Sequence, residues 1–343
     1  DGFARRYIYG TGVPEVYYDY EIVGDDETGW AIEGGARLVA SSLHDQSVEP
    51  FRDGRWDVVR SVRPQGEAVD TALMVPYRVV FDDGLDHDPA TRRLPSRQGN
   101  LMVHGPEDTF RIDTEKRPAG LALDPGGEIL ASFYSEQTHP KKVETLRAEN
   151  LLIFGDSSGA EAGLRRALEA PPGVPDKASF RLSWMRPSPW EDKKKDALIH
   201  LQLARLALDR DEEGLARWEM QAAIDLLGAD EHAIRIELAA LEGRMDLRRG
   251  DYEAAFRRSK QVLRLFSPRR QQRYWRLRGW QAQVGADWLA TTDVLAILAV
   301  AAYETGNDEE LRWAFEGADE RGVDLGALRR QAGSRLESVL TRR

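Results

Sequence analysis

From Glu15 to about Tyr134, apolar and polar positions alternate in short runs separated by turn residues. The clearest run is Glu15–Ile22. Val16, Tyr18, Tyr20 and Ile22 fall on one face, and Tyr17, Asp19 and Glu21 on the other. A period of two belongs to a strand with one buried face. Gly10, Gly12 and Pro14 precede it and end whatever comes before, because neither residue type sustains a helix. A further run leads from Trp30–Ile32 to Arg37–Ala40 across Gly34-Gly35, which is expected to be a bulge or bend. Trp56–Val62 follows the turn Asp53-Gly54. Ala72–Phe81 carries Pro76, which points to an edge strand or a bulge. Leu101–Val103, Thr109–Asp113, Gly120–Leu123 and Ile129–Tyr134 complete seven or eight strands, enough for an all-β sandwich.

Beyond Pro140 the texture changes to alanine, leucine, arginine and glutamate at helical spacing. The plainest unit spans Ala239 to Pro268. Gly243 allows two helices to approach, Gly250-Asp251 makes a turn, Tyr252, Ala254 and Ala255 open a second helix, and Pro268 stops it. This unit resembles a tetratricopeptide repeat, a helical hairpin of about 34 residues. Gly155-Asp156, Asp209-Arg210-Asp211 and Gly306-Asn307-Asp308 each stand between an apolar helix and an alanine-bearing one, and so mark further hairpins. Ala170–Trp190 interrupts the array. Five prolines forbid a helix through it, yet Phe180, Trp184, Met185 and Trp190 are too apolar for a free linker.

The prediction is therefore a multidomain chain, an all-β Ig-like sandwich over 14–139 followed by an all-α, tetratricopeptide-like array of helical hairpins over 140–343, with a proline-rich insertion at 170–190. Residues 1–13 read as the helical end of a preceding domain, through Phe3, Tyr7 and Ile8. That expectation makes the chain the C-terminal portion of something longer.

Composition removes several functions. A net charge of −10 argues against a nucleic-acid binder, which needs a basic face for phosphates. With no cysteine, disulfides, thiolate metal sites and a cysteine nucleophile are excluded. No apolar run approaches the roughly 18 residues of a membrane span.

An aromatic helix end, then Gly10-Thr11-Gly12-Val13-Pro14-Glu15-Val16, then Tyr18-Asp19-Tyr20-Glu21, resembles the junction in aminopeptidase N-type zinc metallopeptidases. There the catalytic domain passes into a small β-sandwich. The run Lys116–Ala131, containing Leu121-Ala122-Leu123-Asp124-Pro125-Gly126-Gly127, is similar to the closing hairpin of that sandwich. The resemblance implies a non-catalytic C-terminal region that braces the catalytic domain and gates its substrate channel. Phe3, Tyr7, Ile8 and Pro14 would make the interdomain contact. Zinc would be held only in the catalytic-type domain, which is also the implied partner.

The chain itself lacks the zinc motif, H-E-x-x-H. His44 and His87 are each followed by Asp, His104 by Gly, His139 by Pro, His200 by Leu and His232 by Ala. No cofactor is therefore expected within it. Asp82, Asp83, Asp86 and Asp88 crowd one acidic loop that could take calcium, but without EF-hand spacing a solvated loop is the plainer reading. Arg269, Arg270, Arg273, Arg276 and Arg278 interleave with Tyr274, a pattern suited to a peptide carboxylate and, less, to nucleic acid. An amphipathic helix whose aromatics are core and whose arginines pair with the excess acid is the plainer reading. A second function class follows from these arginines, a non-enzymatic scaffold that holds a partner peptide or protein in a helical groove.

Overall fold

The computed structural model describes residues 15–40, 42–64, 72–81, 95–104, 107–129, 131–171, 173, 189–229, 231–265 and 284–341. Contacts divide the chain into two compact units. One comprises residues 1–43 and 63–188, the other 44–62 and 189–343. The change in sequence texture near Pro140 is therefore not where the contacts divide.

The first unit holds two sheets and a helical pair. One sheet has the order β7-β2-β1-β9, the other β6-β5-β8. The strands are β1 (Glu15–Asp25), β2 (Gly29–Leu38), β5 (Ala72–Phe81), β6 (Ser96–His104), β7 (Glu107–Thr114), β8 (Pro118–Leu123) and β9 (Ser132–Ser135). Inward side chains of both sheets form one core, including Val16, Tyr18, Ile32 and Ile112 from the first and Val75, Tyr77, Val79 and Leu121 from the second. The alternation expected for β1 is present: Tyr18 enters this core, while Tyr17 packs from the other face on α1 (Pro140–Ile153), beside Val143 and Leu146. α2 (Ser157–Glu169) returns against α1.

Three sequence expectations change. Gly34-Gly35 neither bends nor divides a strand, because β2 runs unshifted against β1 through Gly34↔Tyr20 and Gly35↔Asp19. Its reason is contact: a Cβ on Gly34 would stand 2.3 Å from the Asp19 carbonyl oxygen and 2.6 Å from the Phe110 ring. Pro76 lies in a central strand, not an edge or a bulge, since β5 pairs with both β6 and β8. In a strand the N–H and C=O of one residue point the same way. The Pro76 carbonyl accepts from Asp124 N–H, so its missing donor faces the Asp124 carbonyl, which Gly127 N–H takes instead. Lastly, Lys116–Ala131 is not a hairpin. β8 belongs to one sheet and β9 to the other, where β9 runs parallel to β1.

The second unit contains α3 (Pro189–Asp209), α4 (Glu213–Leu227), α5 (His232–Arg249), α6 (Tyr252–Leu265), α7 (Val284–Thr305), α8 (Asp308–Asp319) and α9 (Gly326–Thr341). All four helical turns expected from the sequence form, the first of them between α1 and α2, and they share one construction. Gly155, Asp211, Gly250 and Gly306 each adopt positive φ. The following residue then donates its N–H to a carbonyl five positions back: Asp156 to Leu151, Glu212 to Ala207, Asp251 to Asp246 and Asn307 to Ala302, at 2.8–2.9 Å. This is the Schellman closure, which satisfies carbonyls that a helix end otherwise orphans. Small buried residues recur on both sides of it: Ala148 and Ala160, Ala204 and Ala216, and Gly243 and Ala255. The fourth hairpin pairs Ala299 with Leu311. Gly243 performs the close approach its position suggests, since a Cβ there would lie 3.1 Å from Ile297.

The remaining strands, β3 (Ser42–Pro50) and β4 (Trp56–Pro64), form a separate two-stranded sheet. Its body, His44–Val62, packs with the helices of the second unit and not with the sandwich. Val48, Trp56 and Val58 share a core with α5, α6, α7, α8 and α9.

Candidate functional site

The hairpin turns at Arg52–Gly54, where Asp53 and Gly54 both have positive φ, as the Asp-Gly pair requires. Alternation would send Trp56 and Val58 one way and Asp57 the other. All three are buried, because the hairpin has helices on more than one side. Its third neighbour is a chain segment: Val48 N–H donates to the Asp324 carbonyl and Asp324 N–H to the Gln46 carbonyl.

Two carboxylates organise the polar contacts. Asp57 on β4 meets two arginines of α5. Arg244 Nε donates to Oδ1 at 2.7 Å and Nη2 to Oδ2 at 3.0 Å, while Arg248 Nη2 donates to Oδ2 at 2.6 Å. Arg244 also reaches Asp209, and Arg248 the Leu208 carbonyl and Asp211. Burial by itself would raise the Asp57 pKa, but the two guanidiniums outweigh it and hold the carboxyl below its ordinary value.

Asp293, on the long apolar helix α7, is the second centre. It accepts from Arg60 of β4 at 2.6 Å and from Gln46 of β3 at 2.5 Å. Arg205 of α3 lies 2.9 Å from the same carboxylate. Glu237 of α5 pairs with Arg205 at 2.7 Å and lies 3.8 Å from Arg60, so two cations and two anions balance inside the unit. Burial again opposes ionisation of Asp293, and again the arginines win, leaving its pKa lowered. Trp56 Nε1 donates to Glu304 at 2.7 Å, and Arg248 stacks over the Phe51 ring at 4.7 Å.

This arrangement binds a strand through one aromatic, one carboxylate and one cation. Among the described residues no group of three or more His, Asp or Glu is placed to hold a metal. Elsewhere, His200 Nδ1 lies 2.6 Å from the buried Glu219, beside the exposed Trp218. A shallow groove between α4, α5 and α6 is walled by Ile224, Leu238 and Val262, with Arg235, Glu242 and Arg258 at its polar side. Arg258 is engaged there by Glu242 and Asp246.

The residues singled out from sequence fall elsewhere. Phe3, Tyr7, Ile8 and Pro14, the acidic Asp82, Asp83, Asp86 and Asp88, and Arg269, Arg270, Arg273, Tyr274, Arg276 and Arg278 all lie outside the described residues. Most of the insertion at 170–190 does too. The ion-pair centres were missed, although one signal existed. Asp293 is the single charge in the stretch Leu289–Tyr303, and a lone carboxylate in so apolar a run requires a buried partner.

Neither protein-family models nor curated proteins gave a match to this chain. Among the described residues, no helix is long and apolar enough to cross a membrane.

Proposed function

We propose that the chain is a non-catalytic accessory region of an aminopeptidase N-like zinc metallopeptidase. Its Ig-like sandwich would brace the catalytic-type domain, and its helical array would limit access to the substrate channel. The observation that carries this reading is that the two runs of family resemblance touch. The hydroxyl of Tyr18 accepts from Leu123 N–H at 3.2 Å and that of Tyr20 from Leu121 N–H at 3.1 Å. The open edge of β8 is thereby satisfied by side chains of β1, which makes both runs parts of one closure. Zinc would lie in the catalytic-type domain; no zinc-dependent step is assigned to the described residues of this chain.

The experiment is to express the longest reading frame containing this chain and measure bound zinc together with aminoacyl-reporter cleavage. Stoichiometric zinc with chelator-sensitive cleavage supports the proposal. A longer protein without metal or cleavage, or no upstream domain at all, would overturn it.

A second reading is a tetratricopeptide-like scaffold. It is favoured by the repeated hairpin closure at all four turns and by the small residues flanking three of them. In such arrays the stacked hairpins present a continuous surface to an extended partner.

A further inference from the structure

We infer that the helical face of α3, α5 and α7 is a recognition surface for an extended segment of the form aromatic–carboxylate–x–x–cation. The hairpin His44–Val62 is its resident ligand. The inference rests on the hairpin contacts and is independent of the zinc-peptidase reading.

Each element of the code has its own receptor group. The aromatic is Trp56, buried in the helical core, its indole N–H taken by Glu304 of α7. The carboxylate is Asp57, held by Arg244 bidentately and by Arg248. The cation is Arg60, received by Asp293 at 2.6 Å, with Glu237 behind. Bidentate arginine fixes direction as well as charge, because only one approach of the carboxylate satisfies both donors. Asp293 receives Arg60, two residues beyond Val58, with the opposite charge to the arginines that hold Asp57, so reversing the segment would face like charges with like.

The receptor charges are also braced independently of the ligand. Arg244 is held by Asp209, Arg248 by Asp211 and the Leu208 carbonyl, and Arg205 by Glu237. All of these braces lie on α3, on α5 or in the α3–α4 turn, so each cation keeps a partner outside the hairpin, although Asp211 also pairs with Arg52 of the hairpin. Such a preorganised site loses little on binding.

The test uses the full chain carrying Trp56→Ala, Asp57→Ala and Arg60→Ala together, which disarms the resident segment but leaves every receptor group. The probe is a fluorescein-labelled peptide of residues 44–62. The variant is expected to bind it at least about tenfold more tightly than the unaltered chain, whose surface is filled, and a peptide with Asp57→Ala should bind about tenfold more weakly than the native peptide. Should the variant fail to fold, refolding with the native peptide is expected to restore helical ellipticity, and refolding with the Asp57→Ala peptide is not. Equal binding by variant and unaltered chain, equal effects of both peptides, or neither binding nor restoration would overturn the inference.

Discussion

Replacing Asp57 with alanine is the most direct probe of how the hairpin is held. The substitution deletes four hydrogen bonds, two from Arg244, one from Arg248 and one from the Val58 N–H, and leaves both guanidiniums buried. Removing one partner of a buried ion pair costs about 3–5 kcal/mol, because the surviving charge keeps its desolvation penalty without compensation. Arg244 retains Asp209, and Arg248 retains Asp211 and a carbonyl, so the lower end applies, about 3 kcal/mol. For a unit of this size that is roughly 6–12 °C in Tm. The assay is thermal unfolding followed by helical ellipticity, with Arg37→Ala on an exposed strand pair as the surface control. Combining Asp57→Ala with Arg244→Met should recover part of the loss, since one stranded charge is then gone. A Tm shift no larger than the control, or strict additivity in the double variant, would refute the reasoning. The depressed Asp57 pKa adds a direction in pH. Its stabilisation is fully present above the ordinary carboxylate value of 3.8 and is lost as pH falls through the lower folded value.

Glu149 on α1 behaves oppositely. Burial pushes it up to about 7, Lys142 opposes the shift and Glu15 adds to it. A raised carboxyl stabilises most while protonated, so its contribution is complete below 4.5 and is lost as pH rises to about 7. Glu149→Gln should flatten the decline in Tm between those values; an unchanged profile would count against a buried carboxyl there. Gly34→Val forces a side chain against the Asp19 carbonyl and should cost about 2–3 kcal/mol in chemical denaturation of the sandwich, with an unperturbed midpoint as the contrary result. Tyr20→Phe removes the acceptor of the Leu121 N–H and should cost about 1 kcal/mol and speed amide exchange at Leu121. Gly250→Ala places a Cβ at φ +76°, and a loss of about 1 kcal/mol is expected in helical unfolding.

The helical turns were legible in the sequence because their cause is local. A glycine, or Asp211, in the left-handed region followed by a polar residue closes one helix and opens the next within a few positions. The facing of Tyr17, Tyr18 and Tyr20 was equally local, being set by the pleat of a single strand. The sequence could not say which body a strand joins. β4 alternates much as the sandwich strands do, because alternation records that a face is covered and not what covers it. Only the tertiary structure brings Asp57 to arginines 187 and 191 residues away. The same holds for Arg60 and Asp293, 233 residues apart, and for Pro76, whose place in a central strand depends on Asp124 and Gly127 turning away beside it. Local conformational preference decides turns and faces, whereas the pairing of buried charges and the sharing of sheets are decided by groups that meet only when the chain has folded.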